Sequence, residues 1–252
     1  MQQNEFEHYL NKLLSADAIK DYCPNGLQIQ GQRKIQKIVT GVTASQALID
    51  KAIELQADTL LVHHGYFWKN EPYAIRGIKH QRIKALLEHN INLFAYHLPI
   101  DVHPILGNNA QLGKLLSIEN IQVMEGVFPE GIVMQGEFLS AVNADEVTQR
   151  INAMLNRPCL HIAPPSNKKI NTLAWCTGGG QNYIEIAAEQ GIDAFITGEA
   201  SEQTTHIARE MNIHFFAAGH HATERYGIKA LGEHIHQALG LEVTFIDIDN
   251  PV

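Results

Sequence analysis

The order strand-helix-strand-helix-strand occurs twice in this chain of 252 residues, and it restricts the fold more than any other feature. The run at residues 59–62 (TLLV) is apolar throughout, which is typical of a parallel strand covered on both faces. Alternating strands and helices predict an α/β fold with mixed sheets and flanking helices. The predicted strands are 37–42, 59–62 and 91–96 in the first set and 172–177, 193–197 and 213–217 in the second; the predicted helices are 45–55, 77–89, 182–190 and 201–211.

The two sets are similar enough to predict an internal duplication. A shift of 135 residues aligns the order of the elements and places Asp58 on Asp193. Few residues are identical, so convergent α/β patterning is the alternative. The duplication predicts two similar βαβ-type lobes, residues 1–125 and 126–252, packed closely enough to act as one domain.

Outside the two sets, weaker periodicities predict the remaining elements. An amphipathic helix opens the chain, and a short strand closes it. Prolines and polar residues predict a loop at 164–167. These elements are a helix at 4–14, a strand at 131–142, a helix at 144–155, a strand at 159–162 and a final strand at 242–247.

Composition excludes several classes of protein. The net charge of −8 argues against a dedicated surface for nucleic acid, although one nucleotide needs only a local basic pocket. No basic leader with an apolar core precedes the first helix, and no apolar run approaches ~18 residues, so neither a signal peptide nor a membrane span is expected. Three cysteines without a C-x-x-C pair are typical of reduced thiols in a cytoplasmic protein.

Imidazoles and carboxylates follow the predicted strands in both halves. The spacing His-x-x-x-acid occurs at His97 and again 123 residues later at His220. Ligands of open α/β sheets collect at the carboxyl ends of the strands. The pattern therefore predicts one metal site between the lobes, built from His63, His64, His97, Asp101, Glu199, His220 and Glu224.

Each of these residues also has a plain structural alternative. Neighbouring side chains on a strand point to opposite faces, so His63 and His64 can share a site only if the chain bends, as Gly65 permits. Otherwise one is buried and hydrogen-bonded and the other exposed. Asp101 alone would be a turn residue, and Glu224 alone would be a carboxylate near a helix N-terminus, paired with Arg225.

Other residues have less specific patterns. His97 fits a ligand, a residue that orients a ligand, or a proton donor, whereas His103 is expected to be exposed. The glycines at 178–180 suit either a phosphate at a helix N-terminus or a tight turn. The aromatic run 66–68 suits either a nucleotide base or core packing. Basic residues at Lys69, Arg76, Lys79 and Arg82 suit either phosphates or a solvated face.

Taken together, these motifs resemble a known family. The resemblance is to the GTP cyclohydrolase 1 type 2 homolog family, also called Nif-three-like, in its short bacterial branch. It covers the chain from about residue 5 to the end and keeps the order of every motif. The motifs are 41–46 (GVTASQ), 61–68 (LVHHGYFW), 97–101 (HLPID), 107–111 (GNNAQ), 177–181 (TGGGQ), 196–199 (ITGE) and 219–225 (GHHATER).

The resemblance implies a two-lobed α/β fold with a dinuclear metal centre. It also implies a ring-shaped homohexamer whose sites face an inner cavity. The implied activity is hydrolysis of GTP or a related nucleotide, with metal-bound hydroxide attacking C8 of the purine ring. The implied ligands are His63, His64, Asp101, His220 and Glu224.

The types of ligand are compatible with several metals and with the hydrolysis of more than one kind of bond. Imidazole with carboxylate suits Fe, Mn, Zn or Ni, and two such divalent ions ~3.5–4 Å apart would generate hydroxide near neutral pH. His97 is the candidate for proton transfer, and Glu224 is assigned to both the metal and the catalytic step. The alternatives are a metal-dependent phosphoesterase and a non-catalytic, metal-binding hexameric ring that recruits partners.

Overall fold

The first of two β-sheets contains five strands and follows the predicted alternation of strands and helices. The computed structural model describes residues 1–166 and 168–252, and elements are numbered along the chain. The sheet has the order β1-β4-β3-β2-β11, with β1 antiparallel to β4 and the other pairs parallel. Its strands are β1 (Gly26–Ile29), β2 (Lys37–Thr43), β3 (Thr59–His64), β4 (Asn92–Ala95) and β11 (Glu242–Phe245).

Three helices before β4 accompany this sheet: α1 (Gln3–Leu13), α2 (Gln46–Glu54) and α3 (Gly77–Glu88). Helix α2 begins where the Ser45 hydroxyl accepts a hydrogen bond from the Leu48 amide, which satisfies one of the unpaired N–H groups of the first turn. Buried aliphatic side chains of α2, α3 and the central strands form a single cluster, so the sheet and its helices share one core.

The second sheet contains six strands and is also mixed. Its order is β5-β6-β8-β9-β10-β7; β8, β9 and β10 are parallel, whereas β5, β6 and β7 pair antiparallel. The strands are β5 (Glu119–Val123), β6 (Met134–Val142), β7 (Leu160–Ile162), β8 (Ile170–Cys176), β9 (Ala194–Thr197) and β10 (His214–Ala217). The remaining helices are α4 (Leu98–Asp101), α5 (Asn108–Leu115), α6 (Ala144–Leu155), α7 (Ile184–Glu189), α8 (Glu202–Glu210) and α9 (His220–Leu239).

The parallel strands of the two sheets repeat the same register. Ile38 pairs with Thr59 in the first sheet, and Leu173 pairs with Ala194 in the second, so both partners move by the same 135 residues. The aspartates before the second strand of each set also match. Asp58 Oδ2 accepts the Lys37 amide at 2.9 Å, and Asp193 Oδ2 accepts the Thr172 amide at 3.1 Å.

The chain divides into two compact units. One contains Met1–Ile100 and Gly227–Asp249, and the other contains Asp101–Tyr226 and Asn250–Val252. These bounds differ from the predicted lobes 1–125 and 126–252, because β11 pairs with β2 of the first sheet and β5 pairs with β6 of the second. We call them the first and second unit.

Several elements were not predicted from the sequence. Strand β1 is only four residues long, strand β5 has an almost wholly exposed sequence without apolar alternation, and α5 lacks a polar cap residue. The predicted strand 131–142 begins only at Met134, and the predicted helix 182–190 is a 3-10 turn followed by α7. Asn167, in the predicted loop 164–167, lies outside the described residues.

The second unit has its own core, in which Trp175, Ile196 and Phe216 of neighbouring strands pack with buried residues of α5 and α6. Within the described ranges 1–166 and 168–252, no helix combines the length and apolar character needed to cross a membrane. Both sheets carry polar side chains just beyond the carboxyl ends of their parallel strands, at His64 and at Glu199.

Candidate metal centre

His63 and His64 end strand β3 of the first unit and lie together despite the alternation of a strand. Their ring centroids are 4.3 Å apart. The buried His63 ring donates from Nδ1 to the Tyr96 carbonyl at 3.1 Å, because a carbonyl oxygen can only accept. His63 therefore presents the lone pair of Nε2 as its ligand atom.

His64 is half-buried, and its Nδ1 lies 3.1 Å from the Thr43 hydroxyl. The chain bends at Gly65, where a Cβ atom would overlap the side-chain oxygen of Gln28. This close approach explains why a glycine follows the two histidines.

His97 lies beyond strand β4, with its ring centroid 5.2 Å from that of His63. Its Nδ1 lies 2.7 Å from Asp21 Oδ1, and the other oxygen of Asp21 accepts the Leu98 amide at 2.9 Å. Burial raises the pKa of Asp21, but the hydrogen bond and charge of His97 outweigh this effect and the pKa is lowered. An ionised Asp21 therefore orients the His97 ring and favours the tautomer with its proton on Nδ1.

The three histidines of the first unit form one group. Ligand nitrogens of His63, His64 and His97 all lie within 4.8 Å of one another. Cys23 also lies within that distance of Asp21 and His97, but Asp21 is already engaged by His97 and Leu98. The first unit thus offers mainly imidazole nitrogen.

The aromatic run after the histidines packs around them. Trp68 meets His97 edge-to-face with 4.9 Å between ring centroids, and Tyr66 donates its hydroxyl to the Ala44 carbonyl. Lys79 lies over the Phe67 ring and pairs with Glu71 at 3.2 Å. These contacts favour packing over base stacking for Tyr66 and Phe67.

The second unit offers carboxylates. Asp101 and Glu224 are 4% and 3% exposed, and each has a ligand oxygen within 4.8 Å of the other. Asn108 of α5 donates to Asp101 at 2.8 Å and holds that carboxylate in place. Two buried carboxylates this close repel each other in their charged forms, so a cation beside them is strongly favoured.

His220 lies between two carboxylates at the start of α9. Its Nδ1 is 2.7 Å from Glu199 and its Nε2 is 3.2 Å from Glu224. Burial lowers the pKa of His220, but the hydrogen bonds and charges of Glu224 and Glu199 outweigh it and raise the pKa to about 9. The surroundings of His220 therefore favour positive charge.

Two glycines allow the backbone to approach this group. Gly178 has φ +66°, and a Cβ there would overlap Glu224 Oε1. Its amide donates to the Thr223 hydroxyl at 3.0 Å, which favours the tight-turn alternative for this glycine. Gly219 has φ +101° and lies against the guanidinium of Arg157, which places a cation beside the residue that precedes His220.

Sequence reasoning missed two supporting residues and weighted a third too lightly. Asp21 lies 76 residues from His97, and only its turn-rich surroundings were evident. Asn108 was part of a recognised motif without an assigned role. Glu199 was noted at a strand end, but its contact with His220 was not foreseen. None of these contacts produces a short local spacing.

The thiol of Cys176 lies in the same unit but is not suited to act as a nucleophile or a metal ligand. Burial raises its pKa well above the usual range, and the charges of Asp101 and Glu224 add to the effect. A protonated, buried thiol is a poor nucleophile and a poor ligand.

Comparison with known proteins identifies the family. A profile of the Duf34/NIF3 (NGG1p interacting factor 3) family matches residues 1–251. The chain belongs to the Duf34/NIF3 family. This Duf34/NIF3 protein is 60% identical to a Vibrio cholerae relative and 57% identical to a Yersinia pestis relative, each named GTP cyclohydrolase 1 type 2 homolog and each covered completely by the alignment.

A solved structure of protein ybgI, described as of unknown function, has the same fold. It matches this Duf34/NIF3 chain with a TM-score of 0.95 and 53% identity, and both chains are covered completely. The shared family and fold confirm the resemblance that the motifs indicated. The reaction is inferred from the side chains of the candidate site.

The donor set fits a divalent metal. His63 and His97 have their Nδ1 edges turned to oxygen atoms, and a buried carboxylate pair favours positive charge. Mixed imidazole and carboxylate ligands suit Fe, Mn, Zn or Ni.

Proposed function

We propose that this Duf34/NIF3 protein is a metal-dependent hydrolase that acts on a nucleotide, with GTP cyclohydrolase type 2-like chemistry. The proposed centre joins the donors of the two units and holds two divalent ions. The observation that carries the proposal is the buried pair Asp101 and Glu224, whose ligand oxygens lie within 4.8 Å of each other. The proposed ligands are His63, His64, Asp101, His220 and Glu224.

Bound divalent ions would supply Lewis acidity and lower the pKa of water. Within the first unit, His63 donates its Nδ1 proton to the Tyr96 carbonyl and so keeps Nε2 directed to the centre. Within the second unit, Asn108 fixes Asp101, and Thr223 fixes the Gly178 backbone against Glu224. These contacts hold the donors before a substrate arrives.

His97 is the proposed proton-transfer residue. Its Nδ1 is held by the ionised Asp21, which favours the proton on that nitrogen and leaves Nε2 as the proton acceptor. His97 Nε2 can therefore accept a proton from water and return it to a ring nitrogen of the substrate.

The proposed substrate is GTP or a related nucleotide. The relatives' name supports a purine nucleotide. Arg157 supports a phosphate group, since its guanidinium lies against Gly219, immediately before His220. One water would add at C8 of the purine and open the five-membered ring to a formamide, and a second water would hydrolyse that formamide and release formate.

Reconstitution with single metals tests the proposal. The protein is loaded in parallel with Fe(II), Mn(II), Zn(II) or Ni(II), incubated with GTP, and the nucleotide is followed by mass spectrometry. We expect a ring-opened or formate-releasing product that disappears in Glu224→Ala. Glu202→Ala is the matched control, because Glu202 is exposed and pairs with the exposed His206 at 3.0 Å.

Two other outcomes would replace the proposal. Release of phosphate from GTP would move the centre to phosphoester hydrolysis, which the same ligand set suits. Unchanged GTP with two metals bound per chain would contradict the GTP reaction. Stability or assembly that depends on the metal would then favour a non-catalytic ring that recruits partners.

We further propose that the two sheets arose by internal duplication and that the chain forms a homohexameric ring. The equal shift of the Ile38–Thr59 and Leu173–Ala194 pairs supports the duplication, as do the matching roles of Asp58 and Asp193. The ring rests on the family resemblance alone. Native mass spectrometry should give a mass of six chains, and any other main species would contradict it.

A further inference from the structure

The short separation of Asp101 and Glu224 needs a restraint from the surrounding structure. The two residues belong to different helices, α4 and α9, yet their ligand oxygens lie within 4.8 Å of each other. Ionised carboxylates repel at such a distance, and in the absence of metal the repulsion would push the two side chains apart. The residues that oppose this movement therefore determine how well the pair is prepared for a cation.

Asp101 is held from the first turn of α5. Asn108 donates to one Asp101 oxygen at 2.8 Å, and the hydroxyl of Thr177 lies 3.5 Å from the same oxygen. Glu224 is held from another direction, because Gly178 lies against its Oε1 and leaves no room for a Cβ atom. The turn that contains Thr177 and Gly178 thus lies against both carboxylates.

Asn109, the next residue of α5, ties that turn to the helix. Its Oδ1 accepts the Thr177 amide at 2.9 Å, and its Nδ2 donates to the carbonyls of Gly131 and Ile132 at 3.0 Å each. A backbone amide only donates and a carbonyl only accepts, so these three partners fix the orientation of the side-chain amide. Because Asn109 is 1% exposed, water does not compete for these bonds.

The backbone of Asn109 is held separately from its side chain. Its carbonyl accepts the indole N–H of Trp175 at 2.9 Å, and Trp175 is fully buried in the core of the second unit. A substitution of the Asn109 side chain therefore keeps this contact between α5 and β8. It releases only the turn at Thr177 and the loop before β6.

We propose that Asn109 is a positioning residue that sets the separation of Asp101 and Glu224, and with it the affinity of the second unit for a divalent cation. Asn108 holds Asp101, and its neighbour Asn109 holds the turn that lies against Glu224. Consecutive amides in one turn of α5 thus act on both carboxylates. The inference rests on the metal centre of the proposed function, but not on any reaction of a substrate.

Binding of Co(II) to the full-length protein tests the inference without a substrate. The affinity is measured by competition with a chromophoric chelator, and the visible absorption of the bound ion reports the arrangement of its ligands. We expect Asn109→Ala to weaken Co(II) binding roughly 10- to 100-fold, the usual cost of removing a group that orients a ligand. The absorption spectrum should change as well.

Asn92 provides the matched control in the first unit. It is fully buried and has the same kinds of partner, since its Oδ1 accepts the Gly31 amide at 2.8 Å and its Nδ2 donates to the carbonyls of Gln32 and Asp58 at 2.9 and 3.1 Å. It lies at the start of β4, whereas the candidate ligands follow the ends of the strands. Asn92→Ala should lower the melting temperature about as much as Asn109→Ala but leave Co(II) binding unchanged. If the alanine variants do not fold, Asn109→Ser and Asn92→Ser replace them.

A double-mutant cycle shows whether Asn109 acts through the turn. Gly178→Ala itself displaces Glu224 from the same side. In that background Asn109→Ala should weaken Co(II) binding further by less than about threefold, because the turn has already moved. Equal losses in the two backgrounds would contradict this route.

The outcomes separate this inference from the proposed function. Wild-type affinity and spectrum in Asn109→Ala, or an equal loss in Asn92→Ala, would overturn the positioning role alone. A wild-type protein that binds no Co(II) would overturn the metal centre and both proposals with it. If Asn109→Ala loses Co(II) affinity but the metal-loaded wild-type protein leaves GTP unchanged, the hydrolase is overturned and the positioning role stands.

Discussion

The parallel strands of the two units share the same register, but different kinds of potential metal ligand follow them. Strand β3 ends in His64, and the matching strand β9 leads to Glu199 after the same shift of 135 residues. Each unit also contains a histidine whose Nδ1 lies 2.7 Å from a carboxylate oxygen: His97 beside Asp21, and His220 beside Glu199. The first unit presents mainly imidazole nitrogens, and the second presents mainly carboxylate oxygens.

The two carboxylate–histidine pairs differ in their origin. Asp21 comes from the loop before β1, outside the repeated elements, and its side chain is only 2% exposed. Glu199 lies on the repeated framework and is 39% exposed. A buried charge interacts more strongly than an exposed one. The two units thus combine similar strand registers with different side chains at the strand ends.

The largest expected effect comes from removing a ligand from either unit. We expect both His63→Ala and Glu224→Gln to lower the bound metal below two ions per chain and to reduce turnover by more than about 100-fold. Metal content is measured by mass spectrometry of the elements. The exposed pair on α8 provides the controls His206→Ala and Glu202→Gln. Full metal occupancy in either ligand variant would contradict the proposal that both units supply metal ligands.

Gly178→Ala should disturb the carboxylate side alone. The left-handed backbone costs an alanine about 1–2 kcal/mol, and the added Cβ would also displace Glu224. Gly191→Ala is the matched control, since Gly191 has φ +76° in the same unit and nothing lies within 4 Å of the added Cβ. Both variants should lose unfolding free energy, but only Gly178→Ala should lose metal affinity. Equal metal affinity in the two would contradict the role of Gly178.

Asp21→Asn and Glu199→Gln compare the two orienting carboxylates directly. We expect Asp21→Asn to reduce turnover roughly 10- to 100-fold, because it removes a buried charge from the proton-transfer histidine. Glu199→Gln should have the smaller effect, since solvent screens the exposed carboxylate. The split between kcat and KM locates the change. A larger loss in Glu199→Gln would reverse the assignment and make His220 the more sensitive histidine.

The sequence predicted the parallel strands well because apolar runs between turn residues have a local cause. Strands β3 and β9 lie within the predicted positions 59–62 and 193–197 or extend them by two residues at most. Residues that follow such strands meet at one edge of the sheet. For this reason the sequence alone was enough to group His63 and His64 with His97.

The contacts that could not be predicted from the sequence join residues that are far apart along the chain. Asp21 reaches His97 across 76 residues, and no spacing along the chain records that contact. Three glycines follow β8, but only the folded chain shows that Gly178 is the one against Glu224. Such contacts depend on tertiary packing rather than on propensity.

The smallest expected effect concerns histidines that serve the fold instead of the metal. His161 Nε2 lies 3.1 Å from His214 Nδ1, joining β7 to β10. Burial, and then the neighbouring His214, lower the pKa of His161 from 6.5, and burial likewise lowers the pKa of His214. The charged groups around the pair are Asp145, Lys168 and Asp193.

Below pH 6.5 the unfolded chain therefore binds more protons at these two positions than the folded chain does. The stability that this pair contributes is complete above that pH and is lost as the pH falls through the lowered pKa values. Urea unfolding of the metal-free protein at several pH values should show this acid loss, and His161→Gln should reduce it, because the glutamine amide can still donate to His214 without titrating. An unchanged pH dependence in His161→Gln would mean that the acid loss arises outside this pair. It could not then come from His220, because a histidine whose pKa is raised in the folded state adds stability at low pH instead of removing it.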